Sequence, residues 1–563
     1  MGWPYRNLSY LTLLAIGCTR RIRYAYGNGP DLPSAVTSFG DSVMADIVFV
    51  NPRFEVSYWG FEHALPLVNK RANLPTACLP LLAALTPSEH RVTLIDENVE
   101  PIDFQRLARA DIVGLTGMSV QRARMHEILN ELKRRGAFCV VGGPWVTVQE
   151  DSFGDLADVI FIGEAEETWP KFLKDWESGT HQTRYEQIDR TDMTRVPVPR
   201  HDLMKMQQYM FGSVQFSRGC PFQCEFCDII VTFGRRPRLK TSEQVIRELD
   251  ALRANGMSIA FVVDDNLIGN KQAIKITLRA IAAWQECNGY PLLLTTEASV
   301  DLADDPELMR LMTEANFITV FVGIETPNEE ALRETKKYQN LRSERTLIEK
   351  VHSIQAAGLE VWCGLIVGFD HDDSDVFRLQ REFVEQSRIS HAMLGMLSAI
   401  PKTPLHARLS AAGRLDEEHQ DEFGTNVVPL LLKQDELRDG YLQLQRELHE
   451  PVAYFDRLDR LYLFGSFHWA RPRAKYWRKH PWAWLGGKTR DLVKSIGIFL
   501  SLMINVKNPM LRRVYRQRML RLIRKRPDPV VLFAYMIKCV IHYHHFTMAE
   551  RMTTQESRLV NTF

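Results

Sequence analysis

The 563-residue sequence has no apolar run of the ~20 residues that a bilayer span takes. It has almost no net charge: 70 Lys and Arg stand against 69 Asp and Glu. That balance removes any global attraction to nucleic acid or to an acidic surface, and no nucleic-acid partner is expected. It is poor in cysteine for its length, with nine residues, six of them scattered. Such spacing excludes a disulfide framework and suits a reducing cytoplasm. Residues 10–18 are apolar, but Arg20, Arg21 and Arg23 follow the run rather than precede it, the reverse of a secretion signal. A chain start at Met44, opening directly on a strand, reads more naturally. Residues 1–43 are therefore expected to be a disordered extension or the product of a misplaced start codon.

The three cysteines that do cluster are Cys220, Cys224 and Cys227, in a CxxxCxxC spacing. Three thiolates so close can hold one face of a 4Fe-4S cube, which takes four ligands, and so leave one iron open to a small molecule. Pro221, Phe222 and Phe226 lie between them and would keep water off the sulfurs. A zinc knuckle is the main alternative. It needs a fourth Cys or His, and none follows in the next thirty residues.

The fold class read from the pattern is α/β. Short apolar runs at 47–50, 91–95, 111–116, 138–141 and 159–162 alternate with helical segments at 79–85 and 122–135. That is the pattern of a doubly wound parallel sheet over 44–180, covered on both faces. Ligands of such sheets lie beyond the carboxyl ends of the strands. Those tips carry Thr116, Met118, Ser119 and Gln121, then Gly142 and Gly143, then Gly163 and Glu164. Small residues there let backbone amides approach a large ligand, although glycines at strand tips also serve plain turns. A linker is expected over 181–211, with two prolines and no periodicity in 191–203.

Alternation resumes over 212–415, with strands expected at 214–217, 258–263, 291–296, 319–324, 360–368 and 392–397. Six strands with helices between them fit a partial (β/α) barrel, whose working residues sit at strand C-termini. The polar set there is Asp264, Asp265, Asn266, Glu297, Glu325, Thr326 and Asp370. Any one acid can instead cap the next helix; Glu297 and Glu325 have the poorer capping contexts and lean towards function. Residues 416–563 read as helical, aromatic and basic. A helical cap on the barrel is the favoured reading, with peripheral membrane contact as a second role. His542, His544 and His545 read as a surface cluster, split between helix faces.

The cysteine run resembles the signature of the radical S-adenosylmethionine superfamily, whose open iron chelates that cosubstrate. From Met44 onward the order of motifs resembles cobalamin-dependent members, nearest the hopanoid C-2 methylases. The residues that carry this include Phe61-Glu-His63, Asp96-Glu-Asn98, the run from Cys224 to Ile229, Pro237-Arg-Leu-Lys-Thr241, Phe321-Val-Gly-Ile-Glu-Thr-Pro327 and Pro401-Lys-Thr-Pro-Leu405. The resemblance implies a 4Fe-4S cluster on the three cysteines, S-adenosyl-L-methionine at the barrel mouth and cobalamin at the tips of the first sheet. The Asp-x-His-x-x-Gly run that supplies a lower cobalt ligand in many cobalamin domains is absent, which leaves the 118–121 loop to approach that face. The implied activity is methylation of an unactivated carbon of a lipophilic substrate, with a flavodoxin or ferredoxin as electron donor. A radical cyclase or rearrangement enzyme, and a non-enzymatic cobalamin sensor, are the other readings. A methylthio-transferring enzyme would need cysteines for a second cluster, which the first domain lacks.

Overall fold

The computed structural model describes residues 44–465, 467–469 and 471–554; the expected extension at 1–43 lies outside them. Buried Val/Ile/Leu-rich runs become central strands because both faces of a parallel sheet must be covered. The first sheet has six parallel strands: β1 (Asp46–Asn51), β2 (Arg91–Asp96), β3 (Ile112–Thr116), β4 (Cys139–Gly142), β5 (Val159–Ile162) and β6 (Arg184–Glu186). Their order is β2-β1-β3-β4-β5-β6. Separate apolar layers cover the two faces. One packs the helix Arg122–Arg134 through Met125, Ile128 and Leu129. The other packs the helices Cys78–Leu85 and Thr168–Glu177 through Leu79, Trp169 and Phe172. The expected boundary at 180 falls short: β6 lies beyond it and pairs with β5 through Phe161 and Tyr185.

The linker crosses as short turns. It is held by Gln244, whose Nε2 donates to the carbonyls of Met193 (3.0 Å) and Val196 (2.9 Å). Gln244 also completes the capping box of the helix Ser242–Ala254 with Thr241, so one side chain fixes both the helix start and the chain that leads to it.

The second sheet is likewise all parallel: β7 (Gly212–Val214), then, after the pair β8 (Ser217–Arg218) and β9 (Arg238–Leu239), β10 (Ile259–Val262), β11 (Leu293–Glu297), β12 (Phe317–Glu325), β13 (Glu360–Val367) and β14 (His391–Met396). The order is β14-β13-β12-β11-β10-β7, with β7 and β14 unpaired edges, so the barrel is open. The first strand expected at 214–217 is a correction. The ladder ends at Val214, and Ser217 and Arg218 turn away to pair antiparallel with Leu239 and Arg238. The buried Asp264 explains the break: it takes the Phe216 N–H at 2.7 Å and the Ser217 hydroxyl at 2.6 Å.

The C-terminal region is helical. Its core joins Tyr454, Phe455, Tyr462, Tyr515 and Tyr535 to Phe61 and Leu65 of the first domain. The helix Pro529–Thr554 is docked by a buried Lys538–Glu360 ion pair, and Glu360 also accepts from the Tyr462 hydroxyl at 2.6 Å. The histidine cluster is a second correction. His542, His544 and His545 are fully buried. His544 Nε2 donates to Ser57 O (2.8 Å), His545 Nε2 to Tyr58 O (3.2 Å) and His542 Nε2 to His449 O (3.1 Å). A helix that is apolar around most of its circumference is an interior helix, and its histidines go in with it. No helix among the described residues is long and apolar enough to cross a membrane.

Candidate functional site

A cavity of about 330 Å³ opens at the carboxyl edge of the first sheet and faces the first barrel strand. Thr116, Met118, Gln121, Gly142, Gly143, Gly163 and Glu164 line it from one side, and Ser213, Gln215, Arg218 and Phe233 from the other. Its deep end runs between sheet and helices, among Phe49, Leu82, Phe161 and Trp169. Gly143 is required by geometry: its φ is +103°, and a Cβ there would lie 2.4 Å from Thr116 Oγ1 and 3.2 Å from the Gly117 amide. An apolar shaft with a backbone-lined mouth fits a large flat ring carrying a long tail, so the residues present fit cobalamin.

Of the first-domain candidates, Ser119 is the one that does not line the cavity. It points outward on the 3-10 turn Ser119–Gln121. Gln121 lines the cavity but is structurally committed. Its Nε2 donates to Asn51 Oδ1 (3.0 Å) and Pro52 O (2.5 Å), and its Oε1 accepts the Met118 N–H (3.0 Å). Met118 itself is 52% exposed over the mouth. No histidine lines the cavity among the described residues.

Glu164 is not free for a ligand. It is buried and holds Arg218 Nη1 at 2.7 Å and Arg238 Nη1 at 2.9 Å, while Glu166 takes Arg218 at 2.6 Å. Burial works to raise the Glu164 carboxyl, but the two guanidinium groups outweigh it and hold it below its usual range. This network ties the first domain to the strand that enters the cysteine loop.

That loop is held from all sides. Gly219 N donates to Asp265 Oδ2 (2.7 Å), Cys220 N to Gly234 O (3.2 Å), Glu225 N to Thr335 O (3.0 Å) and Cys227 N to Cys224 O (3.2 Å). Gln339 Nε2 reaches Cys224 Sγ at 3.4 Å, and Asn266 Nδ2 lies 4.0 Å from Cys220 Sγ; such donors tune a cluster's potential. Glu225 anchors the loop by ion pairs to Lys336 (2.9 Å) and Arg408 (3.0 Å). Phe226 packs against Phe369 with centroids 6.2 Å apart, beneath the Lys337 ammonium at 5.8 Å. Among the described residues no three His, Cys, Asp or Glu converge to hold a single metal ion. A cube does not ask for that, since it spreads its three thiolates over separate irons. The residues present fit a cluster with three protein ligands.

The strand-end acids sort by what they already bind. Asp264 fixes the bend at Phe216, Asp265 holds Gly219, and Asp370 pairs with Arg408 and Arg414, both at 2.6 Å. Glu325 forms a buried ion pair with Lys337. Burial works to lower that ammonium, yet Glu325 beside it raises it above its usual value. Thr326 accepts the Asn328 N–H at 3.2 Å and shapes the turn. Asn266 is bound to Ser299, Nδ2 to Oγ at 3.1 Å and Oδ1 to the amide at 3.2 Å. Glu297, at the end of β11, makes no side-chain hydrogen bond or ion pair among the described residues. Burial, then Asp265, Glu325 and Asp264, push its carboxyl up to about 7. A carboxylate crowded by others and short of a cation is suited to an incoming ammonium group.

Lys337, Gln339 and the Glu164–Arg218–Arg238 network escape sequence reasoning. The adjacent Lys336 and Lys337, beyond the short helix that follows Glu325, are the only local signal.

Three domain-family models match the chain: the B12 binding domain over 72–173, the radical SAM superfamily over 214–382, and a domain of unknown function, DUF4070, over 403–558. The chain is 40% identical over 422 residues to an uncharacterized methyltransferase of Synechocystis sp., covering 74% of this chain and 78% of that one. It is 36% identical over 419 residues to the hopanoid C-2 methylase of Rhodopseudomonas palustris, covering 73% and 78%. The fold is shared with two solved structures. One is the radical S-adenosylmethionine methyltransferase TsrM of Kitasatospora setae with cobalamin and a 4Fe-4S cluster bound (TM-score 0.54, 17% identity, 66% of this chain and 78% of that one). The other is the cobalamin-dependent S-adenosylmethionine radical enzyme OxsB with aqua-cobalamin bound (TM-score 0.56, 14% identity, 90% and 80%). The chain belongs to the cobalamin-dependent radical S-adenosylmethionine methyltransferases, whose cofactors are a 4Fe-4S cluster, S-adenosyl-L-methionine and cobalamin.

Proposed function

We propose that the enzyme methylates an unactivated carbon of a lipophilic, hopanoid-like substrate. The observation that carries this reading is the shared wall: Arg218 and Phe233 line the first-domain cavity, and Arg218 is two residues from Cys220. A substrate placed there meets both cofactor sites. The R. palustris relative, a hopanoid C-2 methylase, supports the substrate class.

In this reading Cys220, Cys224 and Cys227 hold the cluster, with Phe226 shielding it. Thr116, Met118, Gly142, Gly143 and Gly163 cradle cobalamin. Asp265, Asn266 and Glu297 face the cosubstrate, with Glu297 taking its ammonium group. When bound, the cofactors supply radical generation and a transferable methyl group. The chain's own part is to fix the cysteine loop, keep water from the sulfurs and hold the two sites in register. A protein one-electron donor of the flavodoxin or ferredoxin class completes the system.

The test is anaerobic reconstitution with iron, sulfide and hydroxocobalamin, followed by incubation with methyl-labelled S-adenosylmethionine, reductant and a hopanoid. Label in the hopanoid together with 5′-deoxyadenosine is the expected result. 5′-Deoxyadenosine with an altered, unlabelled product would assign a cyclase or rearrangement instead. No turnover-dependent 5′-deoxyadenosine with any lipid would leave a cobalamin-binding protein without this activity.

A further inference from the structure

The helix Pro481–Asn505 carries two apolar faces. One, through Ser495, Ile498 and Leu502, is buried in the C-terminal core. The other runs through Trp482, Leu485, Val493, Ile496, Leu500 and Ile504, all exposed, with Trp482 at 83% and Ile504 at 76%. At 3.6 residues per turn these six positions fall within an arc of about 100° and extend for about 33 Å. Scattered apolar side chains on a surface need no explanation, but six on one helix face, interrupted only at Gly486 and Thr489, mark a contact face.

Charge selects what covers it. From 475 to 526 the chain has six Lys and nine Arg against the single acid Asp491; three of these cations, Lys488, Arg518 and Arg521, pair with acids outside the segment, and the others leave it strongly cationic. Lys494 and Arg490 are exposed beside the stripe, and Lys488 Nζ sits 4.5 Å over the Trp484 ring. A second copy of the chain would have to bring two such cationic surfaces together across a two-fold axis, which self-repulsion opposes. An anionic bilayer offers the opposite charge, and tryptophan favours headgroup depth. The helix is not long and apolar enough to cross a membrane, which leaves it lying in the interface plane.

We propose that the 482–504 stripe docks the enzyme on an anionic lipid surface. This inference is independent of the reaction, and its test needs no cofactor. The full-length apo protein is sedimented with vesicles of phosphatidylcholine alone or with one-third phosphatidylglycerol. Binding to the anionic vesicles is expected, weaker by about tenfold or more on neutral vesicles and falling as salt is raised. I496E/L500E should cost a further tenfold or more with an unchanged circular dichroism spectrum. In the wild type, brominated acyl chains should quench tryptophan emission, a readout that survives if the double variant fails to fold. Three results overturn the proposal: wild-type protein left in the supernatant of both vesicles, no quenching with wild-type-like binding by I496E/L500E, or a concentration-dependent dimer abolished by that variant.

Discussion

Arg218 donates to Glu164 across the seam between the two sheets at 2.7 Å, and both side chains are buried. Each charge makes the other tolerable in a dry site. Glu164→Gln leaves Arg218 with Glu166 alone and deprives Arg238 of its carboxylate. Breaking a buried pair from one side costs about 3–5 kcal/mol, so a loss near the lower end is expected, because Glu166 stays. Denaturant unfolding of the apo protein measures it. A loss under ~1 kcal/mol would show the seam to be wetter than its geometry implies.

Glu297 and Glu325 are both strand-end acids, but only one is occupied. Glu297→Gln should weaken S-adenosylmethionine binding by about tenfold or more, the worth of a charge-assisted hydrogen bond, while iron content stays at the wild-type level. Equilibrium dialysis on the reconstituted enzyme reads it. Unchanged affinity would remove Glu297 from the cosubstrate site.

Single Cys220→Ala, Cys224→Ala and Cys227→Ala variants should each lose the iron–sulfur absorbance on reconstitution and keep hydroxocobalamin binding. Gly143→Val should do the converse. A side chain there strains the positive φ and fills the mouth of the cradle, leaving iron loading intact. If the cysteine variants and Gly143→Val all lose both cofactors, the two sites fold as one unit and the residue assignments lose their support.

Sequence periodicity located most strands of both sheets, because buried parallel strands are apolar runs bounded by punctuation. It failed where the backbone obeyed a distant side chain. Nothing within 214–217 signals that Asp264 will bend the chain there. Glu325 and Glu297 look alike in sequence, and what separates them is Lys337, twelve residues further on and across a helix. The three late histidines read as polar surface because their neutral form, and the carbonyls of Ser57 and Tyr58 that satisfy it, are visible only in three dimensions.

Those histidines make the C-terminal helix acid-sensitive. Burial depresses His449, His542 and His544 to about 3, and holds His391 and His545 well below their usual range beside Lys538 and one another. Unfolded histidines titrate near ~6.5. Below that value the unfolded chain binds protons that the native one refuses, so stability falls as pH falls, by about 1.4 kcal/mol per pH unit for each histidine. The apo protein's melting temperature should drop between pH 7 and pH 5, less steeply in His545→Phe. A flat profile would mean the cluster admits protons while folded.

The bonds from His544 to Ser57 and from His545 to Tyr58 each close a loop of 487 residues. During synthesis, the Ser57 and Tyr58 carbonyls wait for their histidine donors until the last helix has been made. At translation rates of about 5–20 residues per second that interval is about 25 to 100 s. Phe61 and Leu65 complete their packing only when the helices of the C-terminal core have been made, so this corner of the molecule closes at the end of synthesis rather than during it.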